Sequence, residues 1–289
     1  MTALLHTIAE TRQHIANARR SAQTIGFVPT MGALHEGHGA LLQRARQECG
    51  YVIASVFVNP IQFDRNDDFE RYPRTLETDL AFCSRLGADA VFAPAASEMY
   101  PSRQLTRVEV AELGDHLCGA FRPGHFAGVA TVVAKLFNIV PCDRAYFGEK
   151  DAQQLAIIAR MVADLNFPCE IVPVTTVRES DGLAMSSRNQ RLTPEQRRIA
   201  PAVYQALHTM QSAMARGRTA AEAKAAALAI LNQHPEFRVE YLEFVDPATM
   251  QPLDTIAGPV RAMTAVWLGG TRLIDNVLCA LPNRAGPEV

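Results

Sequence analysis

Apolar residues along the chain fall into short unbroken runs separated by stretches spaced at three and four positions. This alternation of periods predicts most of the fold. Residues 24–29 (TIGFVP) read as a short buried strand. Residues 51–58 (YVIASVFV) form a continuous apolar run closed by Asn59-Pro60, the pattern of a central parallel strand covered on both faces. Residues 88–94, 143–148 and 169–174 give three more strands. Between them, residues 38–49, 75–86, 126–140 and 151–165 carry helical spacing. Near the N-terminus Leu4, Ile8, Thr11 and Ile15 also fall at helical spacing and predict an amphipathic surface helix. Strand–helix alternation of this kind predicts an α/β fold, a parallel sheet with helices on both faces.

After about residue 177 the pattern changes. Thr193-Pro194-Glu195-Gln196 supplies an N-cap, a first-turn proline and a Gln at the third helical position. Thr219 and Glu222 repeat the arrangement after a break at Gly217, ahead of the alanine-rich helix 220–231. Residues 238–246 alternate imperfectly through Val239, Tyr241 and Phe244, and residues 261–270 and 271–277 read as strands joined at Gly269-Gly270. The expected organisation is therefore residues 1–177 as one domain and 178–289 as a smaller α+β domain.

Composition narrows the function classes. A net charge of -2 without a basic, aromatic-interleaved stripe disfavours nucleic acid and membrane surfaces as partners. No apolar run reaches the length that crosses a bilayer. The six cysteines, Cys49, Cys83, Cys118, Cys142, Cys169 and Cys279, form no CxxC pair and no zinc spacing, which predicts reduced thiols in a cytoplasmic protein. A small anionic substrate remains compatible, because local arginines and lysines can serve it.

The candidate chemistry lies where strands end. In open parallel sheets ligands bind beyond the carboxyl ends of strands, at helix N-termini. Residues 30–42 (TMGALHEGHGALL) occupy such a junction. Gly32 and Gly37 are expected to take positive φ and let the backbone approach a ligand. His35 in the loop and His38 in the first helical turn are expected to face polyphosphate oxygens. A solvated or core histidine, or half of a His-x-x-His metal pair, are the competing readings of the same residues. Asn59 stops the best strand, and Gln62 after it can both donate and accept. In residues 122–140, Val132, Val133 and Leu136 read as core, while Arg122 and His125 suit either an anion or a helix cap. Residues 147–155 (FGEKDAQQL) turn at Gly148, place Lys150 against the helix dipole, and offer Asp151 and Gln154 as a capping pair. A cation at a helix N-terminus suggests an anion beside it. In the polar stretch 177–189, Ser186, Ser187 and Arg188 can bind phosphate oxygens, or the stretch is a linker.

Taken in order, PTMGALHEGH, FVNPIQF, YPRTLETD, RPGHFAGV, FGEKDAQQ and DGLAMSSRN resemble the pantothenate synthetase (pantoate–β-alanine ligase) family, within the HxGH nucleotidyltransferase superfamily. The resemblance runs from Ile25 to Thr193 and more loosely to WLGGTRLIDN. It implies a Rossmann-like nucleotide- and pantoate-binding domain, a lid-like second domain, a homodimer, and ATP-dependent condensation of pantoate with β-alanine through pantoyl adenylate. It implies that His38, His35, Lys150 and Arg188 are catalytic, with His38 the proton donor. It assigns ATP to Met31, Gly32, Ala33, Leu34, His35, Glu36, Gly37, His38, Gly148, Glu149, Lys150, Asp151, Val177, Met185, Ser186, Ser187 and Arg188. It assigns the acid substrate to Gln62, Gln154, Asn59, Val132 and Val133. Mg²⁺ would ride in with ATP on phosphates and waters, with no protein metal cage. Two departures stand out: Cys118 where relatives usually carry Glu, and Pro141-Cys142 shifting the usual Pro-Asp ahead of FGEKD. Gly39 weakens the first turn of its helix slightly. An HxGH transferase that leaves the nucleotide on its product, or a nucleotide sensor without chemistry, are the alternatives.

Overall fold

The computed structural model describes residues 1–280; residues 281–289, the end of the expected second domain, and the side chain of Asn66 lie outside the described residues. The chain divides into two compact units, Met1–Gly114 with Arg122–Val177, and Asp115–Phe121 with the chain from Arg178 onward.

The first unit is built from β1 (Ala3–Leu5), α1 (Ile8–Arg20), β2 (Ile25–Thr30), α2 (Glu36–Glu48), β3 (Tyr51–Val56), α3 (Asn66–Glu70), α4 (Leu76–Arg85), β4 (Ala90–Phe92) and α5 (Ala96–Met99). After α6 (Cys118–Phe121), which belongs to the second unit, it continues with α7 (His125–Ile139), β5 (Arg144–Gly148), α8 (Ala152–Asp164) and β6 (Glu170–Val174). The six strands lie in the order β1-β4-β3-β2-β5-β6, every pairing parallel. The period-2 geometry of a strand explains the unbroken apolar runs. Phe27, Ile53, Phe92, Ala145 and Phe147 face one side, against Ile15 of α1, Val133 of α7 and Ile158 of α8. Their neighbours Val28, Val52, Ala54, Val91 and Tyr146 face the other, against Leu42 of α2 and Cys83 of α4. Both sets are buried, so the central stretches of these strands are apolar on both faces, with Ser55 of β3 the buried polar exception.

The N-terminus corrects one expectation. Leu4 belongs to the edge strand β1, paired with Val91 of β4, and not to the helix. The helix begins only at Ile8, because Thr7 and Glu10 form a capping box there. Thr11, Ile15 and Ala18 then carry its buried stripe.

The second unit places α9 (Pro194–Ile199), α10 (Ala202–Ala215) and α11 (Ala220–Leu231) with the antiparallel sheet β7-β8-β9, spanning Phe237–Val245, Val260–Leu268 and Thr271–Cys279. Both expected capping boxes form, at Thr193 and Thr219. The helix begun at Thr193 is short, and α10 starts anew after Pro201. The imperfect alternation in β7 is a register shift between Val239 and Tyr241. This bulge frees Glu240 to meet the Trp267 indole N–H and the Arg272 guanidinium, the latter at 2.7 Å.

Candidate functional site

The sheet changes direction at β2. The chain steps outward through β3 and β4, then returns to the other side of β2 with β5. Pairing between β2 and β5 runs only over Gly26 and Phe27, and Pro29, which has no N–H to donate, lies beyond it. The carboxyl ends of these two strands are where ligands bind in open α/β sheets. β2 delivers Met31 to His38, and β5 delivers Gly148 to Asp151.

The turn after β2 is held from below. Gly32 (φ 86) and Ala33 (φ 52) both sit in the left-handed region. Thr30 Oγ1 accepts the Gly32 N–H at 3.1 Å. The Asp79 carboxylate, 1 % exposed, accepts the N–H groups of Ala33 at 3.0 Å and Leu34 at 2.8 Å. The Thr75 hydroxyl donates to the same carboxylate at 3.2 Å. Asp79 closes the stretch YPRTLETD and is a functional residue that its local spacing does not single out. Gly37 departs from expectation: it lies in the first turn of α2 and its φ is not positive, so only Gly32 needs glycine's freedom there. Gly39 has a packing reason, since a Cβ would lie 3.2 Å from Phe82 of α4.

The two histidines cap their own helix. His35 is the N-cap of α2 and its Nδ1 accepts the Gly37 N–H at 3.1 Å. His38 Nδ1 accepts the His35 N–H at 3.3 Å, and the rings lie 4.2 Å apart. An Nδ1 that accepts from a backbone N–H must carry a lone pair, so each neutral ring carries its proton on Nε2. The outer edge of each imidazole is therefore a hydrogen-bond donor. Burial lowers the His35 pKa to about 4 and the His38 pKa to about 3. Within these values the Lys150 charge helps to lower His35 and the His35 charge helps to lower His38, while Asp151 opposes both. Both rings are therefore neutral near pH 7. In that state His38 is a donor of hydrogen bonds and not a charged acid.

Lys150 lies in a helical turn spanning Glu149–Asp151, its ammonium 3.7 Å from Asp151. Asp151 precedes α8, yet it forms no side-chain cap, so the expected Asp151–Gln154 capping pair is absent. Gln154 is half-buried at the third position of α8. Gly148 has φ -76, and a Cβ there would meet no atom within 4 Å, so it borders open space without needing positive φ. Val177 closes the unit, half-buried.

Gln62 is fixed from several sides. It ends the short turn Pro60–Gln62 that follows Asn59, and it is 7 % exposed. Asn59 Nδ2 donates to Gln62 Oε1 at 2.9 Å, and Tyr100 donates to Asn59 Oδ1 at 2.8 Å. Gln62 Nε2 lies 3.0 Å from the Met31 sulfur, which joins this turn to the histidine loop. His125 Nδ1 donates to the Gln62 carbonyl at 2.7 Å, and Arg122 bonds His125 at 3.0 Å and Asp64 at 2.9 Å. Arg122 and His125 thus tie the Gln62 turn to α7, whose N-cap is Gly124 without a side-chain cap. Val132 and Val133 are buried in the apolar core, as their spacing predicts. Gly128 lets α7 touch the turn. A Cβ there would run into the Ile61 carbonyl and come within 2.7 Å of Gln62 Cα. Gly128→Ala is expected to cost about 1–3 kcal/mol through overpacking, measured by chemical denaturation. An unchanged midpoint would show that α7 shifts freely and does not fix Gln62.

In the second unit, Ser186 caps the turn Ser187–Arg191 by accepting the Arg188 N–H at 3.3 Å. The stretch before it is tied down. Arg178 forms a two-pronged ion pair with buried Asp275 at 2.6 and 3.0 Å, and Asp181 pairs with Arg197. Met185, Ser186, Ser187 and Arg188 are half-buried, so this stretch is built into its unit and is not an exposed linker. Cys118 is also accounted for. It is buried, 3.2 Å from the Tyr241 hydroxyl and 3.5 Å from the Arg272 guanidinium. Arg272 takes its counter-charge from Glu240, so a thiol at this position leaves no buried cation unpaired.

Comparison with known proteins places the whole chain in one family. Residues 3–278 match the model of the pantoate-beta-alanine ligase family. A pantothenate synthetase of Moorella thermoacetica is 55% identical over 276 residues, covering 95% of this chain and 98% of that protein. The crystal structure of pantothenate synthetase from Thermus thermophilus superposes with a TM-score of 0.91 at 50% identity, covering 96% of this chain and 99% of that one. The ligase from Francisella tularensis, solved with β,γ ATP and β-alanine, gives 0.81 at 34% identity, covering 96% and 98%. The chain belongs to the pantoate–β-alanine ligase family.

Proposed function

We propose that the chain condenses pantoate with β-alanine in two steps. Pantoate's carboxylate attacks the α-phosphorus of ATP and expels pyrophosphate. The β-alanine amine then attacks the acyl carbon of the adenylate, losing a proton and expelling AMP. A carboxylate is a poor acyl donor, and adenylation gives it a leaving group. The protein's part is then positioning and stabilisation of charge.

One observation carries the reading: two neutral imidazoles, locked by the cap of α2 with Nε2–H outward, beside Lys150 at the point where the sheet changes direction. Donors fixed before the reaction can meet charge as it grows on phosphate oxygens without reorganising. Lys150 supplies the full positive charge that the neutral rings lack. His38 acts as a hydrogen-bond donor to the reacting phosphate; a proton-donating role would need bound anion to raise its pKa. Met31 to Gly37, Gly148 to Asp151, Val177 and Met185 to Arg188 are assigned to ATP, and Asn59, Gln62, Gln154, Val132 and Val133 to the acid. Mg²⁺ would come with ATP and neutralise phosphate charge. Asp151, whose side chain is 47 % exposed, is an oxygen donor that fits the water shell of such an ion. None of the six cysteines is joined in a disulfide, which suits a cytoplasmic enzyme, and the family suggests a homodimer.

The test withholds one substrate. Protein mixed with MgATP and pantoate is expected to form pantoyl adenylate and pyrophosphate, read by mass spectrometry. Addition of β-alanine is expected to convert the adenylate to pantothenate and AMP. ATP binding without adenylate would leave a nucleotide sensor. AMP retained on the final product would indicate a nucleotidyltransferase of another kind.

A further inference from the structure

The amino ends of β5 and β6 hold two thiols that this chemistry does not use. Cys142 lies just before β5 and is 3 % exposed, while Cys169 lies just before β6 and is half-buried. Their sulfurs are 3.3 Å apart. Strand pairing produces the approach: Arg144 lies opposite Glu170, and the Glu170 N–H donates to the Asp143 carbonyl at 2.8 Å. The chain just upstream of both strands is held side by side. Cys49 and Cys118 instead face tyrosine hydroxyls, and Cys83 and Cys279 are buried.

We propose that Cys142 and Cys169 form an oxidisable dithiol, which small hydroperoxides convert to an intrachain disulfide and thiols restore. Cys169 is the attacking sulfur. It is the more exposed of the two, and the hydrogen bond from the Cys142 S–H lowers its pKa. The same bond, with burial, raises that of Cys142. The Cys169 thiolate attacks one peroxide oxygen; the O–O bond breaks, an S–O bond forms, and hydroxide leaves. The Cys142 sulfur then attacks the sulfenic sulfur; an S–S bond forms, the S–O bond breaks, and hydroxide departs with the Cys142 proton as water. Two thiols and one hydrogen peroxide give one disulfide and two waters. The sulfurs lose two electrons and the peroxide gains them. The gap has only to close from 3.3 Å to about 2.05 Å. Because the second thiol is already in place, ring closure should outrun a second oxidation of Cys169 to the sulfinic acid.

The full chain, treated with limiting hydrogen peroxide, alkylated with iodoacetamide and digested with trypsin without reductant, tests this. Cleavage at Lys135, Arg144, Arg160 and Arg178 puts Cys142 in peptide 136–144 and Cys169 in peptide 161–178. The expected product is these two peptides joined, lighter by two hydrogens, and separated again by dithiothreitol. In Cys142→Ala, Cys169 is expected to collect oxygen atoms instead, and to react with iodoacetamide about threefold or more slowly, having lost its donor. Sulfinic acid on wild-type Cys169 without the link, links spread over other cysteines, or unchanged alkylation in Cys142→Ala would each overturn the proposal.

Discussion

Replacing His38 with alanine is expected to lower turnover about 10²–10³-fold while ATP affinity changes little. The expectation follows from how the imidazole is held. Its inner nitrogen accepts the His35 N–H, so its outer N–H is aimed by the helix cap and needs no rearrangement to receive charge. It is neutral, so it adds little to the attraction between the site and ground-state ATP. Its contribution is therefore concentrated where charge develops, and the loss should fall on kcat. The substitution also removes a cap, which costs about 1 kcal/mol of helix stability. A denaturation curve separates the two effects, because a loss of that size leaves the fold intact. Single-turnover formation of the adenylate is the direct measurement. Near-wild-type rates would remove His38 from the chemistry, and a large loss of ATP affinity with unchanged kcat would make it a binding residue.

Replacing Asp79 with alanine is expected to cost about 2–4 kcal/mol of stability and to lower turnover with it, because the buried carboxylate receives two backbone N–H groups and one hydroxyl. Removing it takes the acceptor from the Ala33 and Leu34 N–H groups, both half-buried, at about 1–3 kcal/mol for each that water does not reach, while the exposed Thr75 hydroxyl can turn to water. One stranded donor belongs to Ala33, which has left-handed φ without glycine's freedom and stays there only while its surroundings insist. The turn should therefore relax, taking His35 out of register. Asp79→Asn keeps one acceptor and should fall between the two. Urea denaturation and steady-state rates read both effects. If Asp79→Ala matches wild type in both, the turn holds itself and the carboxylate is dispensable.

The sheet was legible because burial on both faces leaves no choice in composition. Val52 to Ala54 and Ala90 to Phe92 must be apolar whichever way each side chain points. β1 escaped because it is short and lies at the sheet's edge, and Leu4 also fits the helical spacing of Ile8. The break at Pro201 was hidden by the strong cap at Thr193. At the site, the histidine loop, Lys150 and Gln62 could be found because each follows a strand. Asp79 supports that loop from another helix, and such contacts between distant segments leave no local spacing to read. One signal was present: Asp79 shares a helical face with Phe82 and Cys83, and a carboxylate on an otherwise apolar stripe calls for buried donors. His125 stood out as a candidate, but its partner, the Gln62 carbonyl on a distant turn, left no local spacing to read.

The assignment of Asp115–Phe121 to the second unit bears on how the protein is made. Ribosomes release this segment well before Arg178, so it must wait for the strands it joins. Cys118 meets Tyr241 and Phe121 stacks on the same ring, contacts that close only after β7 has emerged. The first unit, by contrast, has all its strands once β6 is out. Synthesis therefore completes the six-stranded sheet while one segment between its helices is still unclaimed, and a piece of chain cut at Arg178 would carry that segment without the tyrosine it packs on.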